Sequence, residues 1–293
     1  MHGIRALTIV GGALFLAAAA LAAPPKNGDF YPGWGNQGKF SDEFLGGQSS
    51  YDWYYPSGKL LLLPDQSVVV ADQTVDQFDP DNPKYHMGLL QLGPAGQLGA
   101  SFGFNGYWWT GNGQQGGNVD AAALDTGGGI LLIDEQTICR FGQTSGFLTP
   151  FAGSQEACVA IIGTPALAIR ASVVQPDGLI VLAGSSGPYG FVMRLKADGA
   201  PDPTFSSGMP TRILPAAYTE VAFHAVTLTS TLKIVAAGTA TLKSNGASVP
   251  FLARFNALGQ TEAWPAQNLP LISLNKYRPS TIASLAAVDD LQN

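Results

Sequence analysis

The sequence predicts an all-β chain built from repeated four-stranded units, on three observations. From Tyr51 onward the apolar residues fall in short runs separated by Gly, Pro, Asp and Asn, and no long segment keeps a 3.6-residue period. One stretch, residues 175–208 (QPDGLIVLAGSSGPYGFVMRLKADGAPDPTFSSG), carries turn, strand and turn signals that recur at three other places. The turn glycines of the four copies, Gly96, Gly146, Gly199 and Gly259, are spaced by 50, 53 and 60 residues. A period in this range belongs to a propeller or solenoid unit that buries its apolar faces against its neighbours.

Bulk composition agrees. Charged residues are 12% of the 293-residue chain, about half the usual share of roughly 25%, so the surface must be uncharged-polar and glycine-rich. A net charge of −6 without a basic cluster lacks the electrostatic footprint of a nucleic-acid or anionic-membrane binder.

At the N-terminus His2 and Arg5 precede an apolar run over 6–21, with Ala20 and Ala22 before Pro24. This is the pattern of a signal peptide over 1–22, cleaved after Ala22, leaving 23–293 as an exported chain in the periplasm or outside the cell. No later run approaches the roughly 18 apolar residues of a transmembrane helix. Export permits a disulfide between Cys139 and Cys158, and two buried thiols acting as small apolar residues are the alternative.

In the template unit, strands are expected at 171–174, 179–183, 191–195 and 201–205, with turns at Pro176-Asp177-Gly178 and Ala197-Asp198-Gly199. The units run over about 57–106, 118–153, 169–208 and 220–267, with partial copies at 27–38 and 278–293. An outer strand at one end and an inner strand at the other suit a ring closed by pairing the first and last segments, which removes unpaired edges. The expected architecture is therefore a β-propeller of about five blades, the last split between the termini or incomplete. A chain that forms part of a longer repeat protein is the alternative.

At residues 177–184 (DGLIVLAG), Arg194-Leu195 and 198–205 (DGAPDPTF) the sequence resembles the delta-60 repeat family of predicted β-propeller proteins. The second unit lacks the Asp-Gly pair at both turns, and Gln91 stands where other units have Arg140, Arg194 and Arg254. The resemblance implies a propeller in an exported bacterial protein and supplies no catalytic residues.

Candidate sites are sparse. Gly99–Gly103 spells the G-x-S-x-G of a nucleophile elbow and 111–116 a G-x-G-x-x-G, but no helix follows either. Beyond the leader the histidines are His86 and His224, in different units, so no transition-metal site is expected. Asp76, Asp79 and Asp81 lie in an acidic loop whose oxygens could hold calcium, the one cofactor considered, although the spacing is not that of an EF-hand. The recurring arginines are expected to tie blades together. Trp53-Tyr54 and Trp108-Trp109, the latter beside Asn112 and Gln114, are read as connections between units, where rings and amides can stack on and hydrogen-bond a sugar or peptide or, alternatively, plug a seam.

The function expected from these features is a non-catalytic binding or scaffold module for protein or carbohydrate, located where the copies differ. An exported hydrolase or lyase with acidic residues at the propeller funnel is the alternative.

Overall fold

The computed structural model describes residues 8–10, 13–15, 51–53, 58–76, 84–109, 119–134, 137–151, 155–161 and 166–262. Two compact units result, Met1–Val119 with Phe141–Phe147, and Asp120–Arg140 with Leu148–Asn293. The partial copies at 27–38 and 278–293 lie outside the described residues.

In the first unit β1 (Thr8–Val10) and β2 (Ala13–Phe15) form a two-stranded antiparallel ribbon. β3 (Tyr51–Trp53) and β4 (Lys59–Leu62) share one edge of the long β5 (Val68–Asp76), which pairs with β6 (Lys84–Leu92), and β7 (Tyr107–Trp109) completes the sheet. The second unit has three antiparallel four-stranded sheets: β8 (Ala121–Leu124), β9 (Gly129–Ile133), β10 (Thr137–Gly142) and β11 (Cys158–Ala160); β12 (Ala168–Val174), β13 (Ile180–Ser186), β14 (Tyr189–Leu195) and β15 (Thr211–Ile213); β16 (Tyr218–Leu228), β17 (Ile234–Leu242), β18 (Ser248–Phe255) and β19 (Thr261–Glu262). Each meanders in sequence order, the first three strands joined by short turns and the fourth reached by longer connections in the first two sheets.

The middle strands read as nearly continuous apolar runs because both their faces are covered. Along β13, Ile180 and Leu182 enter one core with Leu131, Ile133 and Phe191, whereas Val181 and Ala183 enter another with Phe223, Ile234 and Phe255. The period-two alternation of a strand thus distributes one segment between two cores. Cys139 and Cys158 pair across β10 and β11 and form a disulfide. Closing a loop of this length contributes on the order of 3 kcal/mol.

The recurring arginines act inside their own sheets, which corrects the expectation that they tie blades directly. Arg194 Nε donates to Asp202 Oδ2 at 2.6 Å, and the pair is 7% and 6% exposed; the same guanidinium also donates to Thr204 Oγ1 at 3.0 Å. Arg140 pairs with Asp125 at 2.5 Å and Arg254 with Glu262 at 3.1 Å. Gln91, opposite Val69 as Arg194 is opposite Val181, is buried in the first unit. Coupling between sheets of the second unit is indirect: Arg194 lies over the Phe205 ring at 4.9 Å, and that ring packs where a Cβ on Gly259 would come within 2.9 Å. Gly259, at φ 79°, is the turn glycine of the following sheet, and Ser206 N–H donates to Leu258 O at 3.0 Å beside it.

Residues 201–205 do not form the expected outer strand. Pro201 and Pro203 lack N–H donors, Asp202 Oδ1 accepts from the Thr204 N–H at 3.0 Å and hydroxyl at 2.8 Å, and the chain turns through a short 3-10 segment at Ser206–Gly208. The outer strand is β15, further along. Likewise the outer strand of the first unit is β7 rather than 100–106, and that of the next sheet is β11 rather than 149–153. In the last sheet β19 begins at Thr261, as expected.

Asp202 leaves Arg194 as a buried unpaired cation when truncated. Asp202→Ala should therefore lower unfolding free energy by about 3–5 kcal/mol, measured by urea denaturation, and a change within about 0.5 kcal/mol would remove this pair from its central structural role.

Candidate functional site

Trp108 is 7% exposed and stacks edge-on against Phe141 with ring centroids 4.6 Å apart. It lies on β7, paired with Leu89, so its side chain contributes packing instead of lining a connection. Trp109 and Trp53 are placed by their backbones, on β7 and β3. Tyr54, Asn112 and Gln114 lie outside the described residues, as do Asp79 and Asp81, while Asp76 ends β5. No group of three or more potential metal ligands occurs among the described residues. Ser101 of the G-x-S-x-G stretch is exposed in a turn with no helix after it.

Turn carboxylates and amides are also committed to architecture. Asp65, Asp177 and Asp198 each accept the N–H two residues on, at 2.9, 3.2 and 2.9 Å. Asp198 also pairs with Lys196 at 2.7 Å. Lys196 and the Ala200 N–H hold its carboxyl below the ordinary value. Burial pushes Asp202 upward, but Thr204 and Arg194 outweigh it and hold that carboxyl low as well.

One position behaves differently. The first strands of the three sheets in the second unit, β8, β12 and β16, pack side by side in that order. Their registers contain the equivalent pairs Ala121 with Ile133, Ala171 with Ala183, and Ala225 with Ala237. Immediately before these alanines stand Asp120, Arg170 and His224. Arg170 and His224 are bulge residues, since the register jumps between Ile169 and Ala171 and between Phe223 and Ala225. Gly184 and Gly238 face the bulges closely: a Cβ on either would collide with the carbonyl oxygen of Ala168 or Ala222. Bulges re-aim side chains at the extra residue.

Three repeat-equivalent places thus carry a carboxylate, a guanidinium and an imidazole. Arg170 is exposed, Asp120 and His224 partly buried. His224 Nε2 lies 3.3 Å from Thr239 Oγ1. Burial, and then the charge of Arg170, push the His224 imidazole below its ordinary pKa, so it is neutral at pH 7. The sequence reading noted His224 but passed over Arg170 and Asp120, because the signal is visible only once the copies are aligned on their alanines.

An open groove of about 1010 Å³ lies beside β15, lined by residues including Thr204, Ser207, Arg212, Leu258 and Gln260. Arg212 Nε there donates to Ser186 Oγ at 3.2 Å. Ser206 and Ser207 in its wall have left-handed φ of 49° and 57°, the strain accompanying the turn that docks Phe205.

Residues 175–205 and 233–261 match the model of DUF5122, a β-propeller domain of unknown function. The all-β architecture of four-stranded antiparallel blades is that of a β-propeller. No curated protein matches the sequence. Among solved structures the chain is similar to virginiamycin B lyase from Staphylococcus aureus, at 12% identity and TM-score 0.40 over 71% of this chain and 69% of that one. It is also similar to a protein of unknown function from Bacteroides caccae, at 10% identity and TM-score 0.33 over 60% and 53%. A gluconolactonase from Xanthomonas campestris matches at 16% identity and TM-score 0.29 over 63% and 57%. These likenesses carry no argument about chemistry.

Trp108→Ala should cost about 3–5 kcal/mol in denaturant unfolding, as for other buried aromatic truncations; unchanged stability would return the ring to a ligand-facing role. For His224 the depressed pKa means that the unfolded chain binds the proton more tightly. The neutral imidazole's contribution is complete above its ordinary value of about 6.5 and is lost as pH falls below it toward the folded value. Urea unfolding at pH 8 and pH 5.5 should therefore show a larger loss for wild type than for His224→Gln, and equal losses would contradict the burial of a neutral imidazole.

Proposed function

We propose that the protein is an exported, non-catalytic β-propeller binding or scaffold module of the delta-60 repeat kind, whose ligand is a protein or carbohydrate contacted by the Asp120, Arg170 and His224 positions. The observation carrying this reading is the contrast between two classes of polar residue. Those that recur from copy to copy, the strand arginines with their acidic partners and the turn aspartates, are used inside the repeat. The register position that changes from copy to copy presents three different functional groups on adjoining strands. Repetition serves architecture, and divergence at a constant position is what recognition requires. Export is supported by the pattern of residues 1–22 and by the disulfide.

A neutral imidazole near a guanidinium also favours a second reading, an exported hydrolase or lyase in which His224 is the general base. The two readings separate in one experiment. The purified chain is screened on immobilised glycans and peptides, and hits are incubated and analysed for products. The binding reading expects retention without turnover, with loss of retention in Arg170→Ala and a stability change within about 0.5 kcal/mol. Turnover abolished by His224→Gln would replace it with the enzymatic one.

A further inference from the structure

We propose that Arg170 and His224 together form a binding site for a monovalent carboxylate group of the ligand. The inference rests on the binding reading above and specifies the chemistry its site accepts.

Arg170 stands apart from the other described arginines. Arg140, Arg194, Arg212 and Arg254 each hold an oxygen of Asp125, Asp202, Ser186 or Glu262. Among the described residues Arg170 makes no hydrogen bond or ion pair, yet its guanidinium is presented on a bulge and acts electrostatically on His224 of the adjoining strand. A guanidinium offers paired N–H donors matched to the two oxygens of a carboxylate. His224 has one ring nitrogen beside the Thr239 hydroxyl, leaving the other to donate to the same anion.

Charge selects the anion. At neutral pH the pair contributes the fixed charge of Arg170 and a neutral imidazole. One fixed positive charge matches a single negative charge and leaves the second charge of a phosphate dianion unmatched. Other groups near His224 do not alter the count: Tyr218 and the exposed Glu220 lie on its own strand, β17 and β13 carry no titratable side chain, and β14 carries Tyr189 and Arg194, the latter paired with Asp202. Arg170 alone disfavours the protonated imidazole, whereas an anion seated between the two groups favours it, so protonation of His224 and binding become coupled. Affinity must then rise as pH falls through the histidine range.

The test follows the His224 ring resonances of the full chain by NMR while acetate, D-glucuronate, D-glucose or inorganic phosphate is added. Acetate and glucuronate should shift them saturably, more tightly at pH 6 than at pH 8, with glucose silent and phosphate weaker at pH 8, where it is the dianion. Arg170→Gln should weaken glucuronate binding about ten-fold or more, as expected for loss of a charge-assisted contact, and Arg170→Lys should recover part of it. Both substitutions are at an exposed residue, and near-UV circular dichroism checks that the fold is retained. His224 resonances indifferent to acetate and glucuronate, or phosphate binding more tightly than either at pH 8, would overturn the carboxylate site. Retention of a neutral glycan or a peptide with His224 silent would do the same while leaving the binding module intact. Glucuronate bound at His224 and then chemically altered would support the carboxylate site and remove the non-catalytic reading.

Discussion

The buried ion pair of Arg194 and Asp202 is the contact on which the best-formed blade depends. Arg194 sits on the third strand, with its guanidinium almost wholly removed from water. Burial of such a charge is tolerable only because Asp202 and Thr204 come back from the following turn to meet it. In doing so they bend residues 201–205 away from the sheet, and the bend carries Phe205 under the guanidinium. The ring then occupies the space left by Gly259, a turn glycine in the next sheet. One electrostatic requirement inside a blade thereby sets the geometry of packing between that blade and the next.

The same logic explains why copies that look unlike one another remain structurally equivalent. Arg140 finds its carboxylate in the turn between the first two strands, at Asp125, whereas Arg254 finds it on the fourth, at Glu262, with Lys233 sharing the acid at 3.0 Å. The constant element is a guanidinium on the third strand that must be neutralised, and the acid is supplied from whichever neighbouring segment can reach. The first copy removes the requirement by placing the uncharged Gln91 there, packed where a side chain on Gly99 would intrude. Compensation at a distance of this kind leaves no fixed spacing in the sequence.

Architecture also determines where recognition chemistry can sit. In the second unit the middle strands are covered on both faces and the turns are closed by their own aspartates and glycines, which leaves first strands, outer strands and connections to carry variable polar groups. The bulges at Arg170 and His224 place such groups on adjoining strands, and Gly184 and Gly238 are required opposite them because backbone carbonyls approach too closely for a side chain.

The sequence by itself determined the class of fold, the repeat character and the turn chemistry, because alternation of apolar residues and the left-handed preference of turn glycines are local properties of the chain. It also marked Arg140, Arg194 and Arg254 as structural through their recurrence. Tertiary structure decided what no local rule contains. The proline- and aspartate-rich segment at 201–205 became a turn with the outer strand displaced to Thr211–Ile213, because a buried arginine drew the segment inward. Trp108 became core through Phe141, a residue distant in sequence. Asp120, Arg170 and His224 became a set because adjoining strands put equivalent registers side by side, and register is a relation between strands that no single strand encodes.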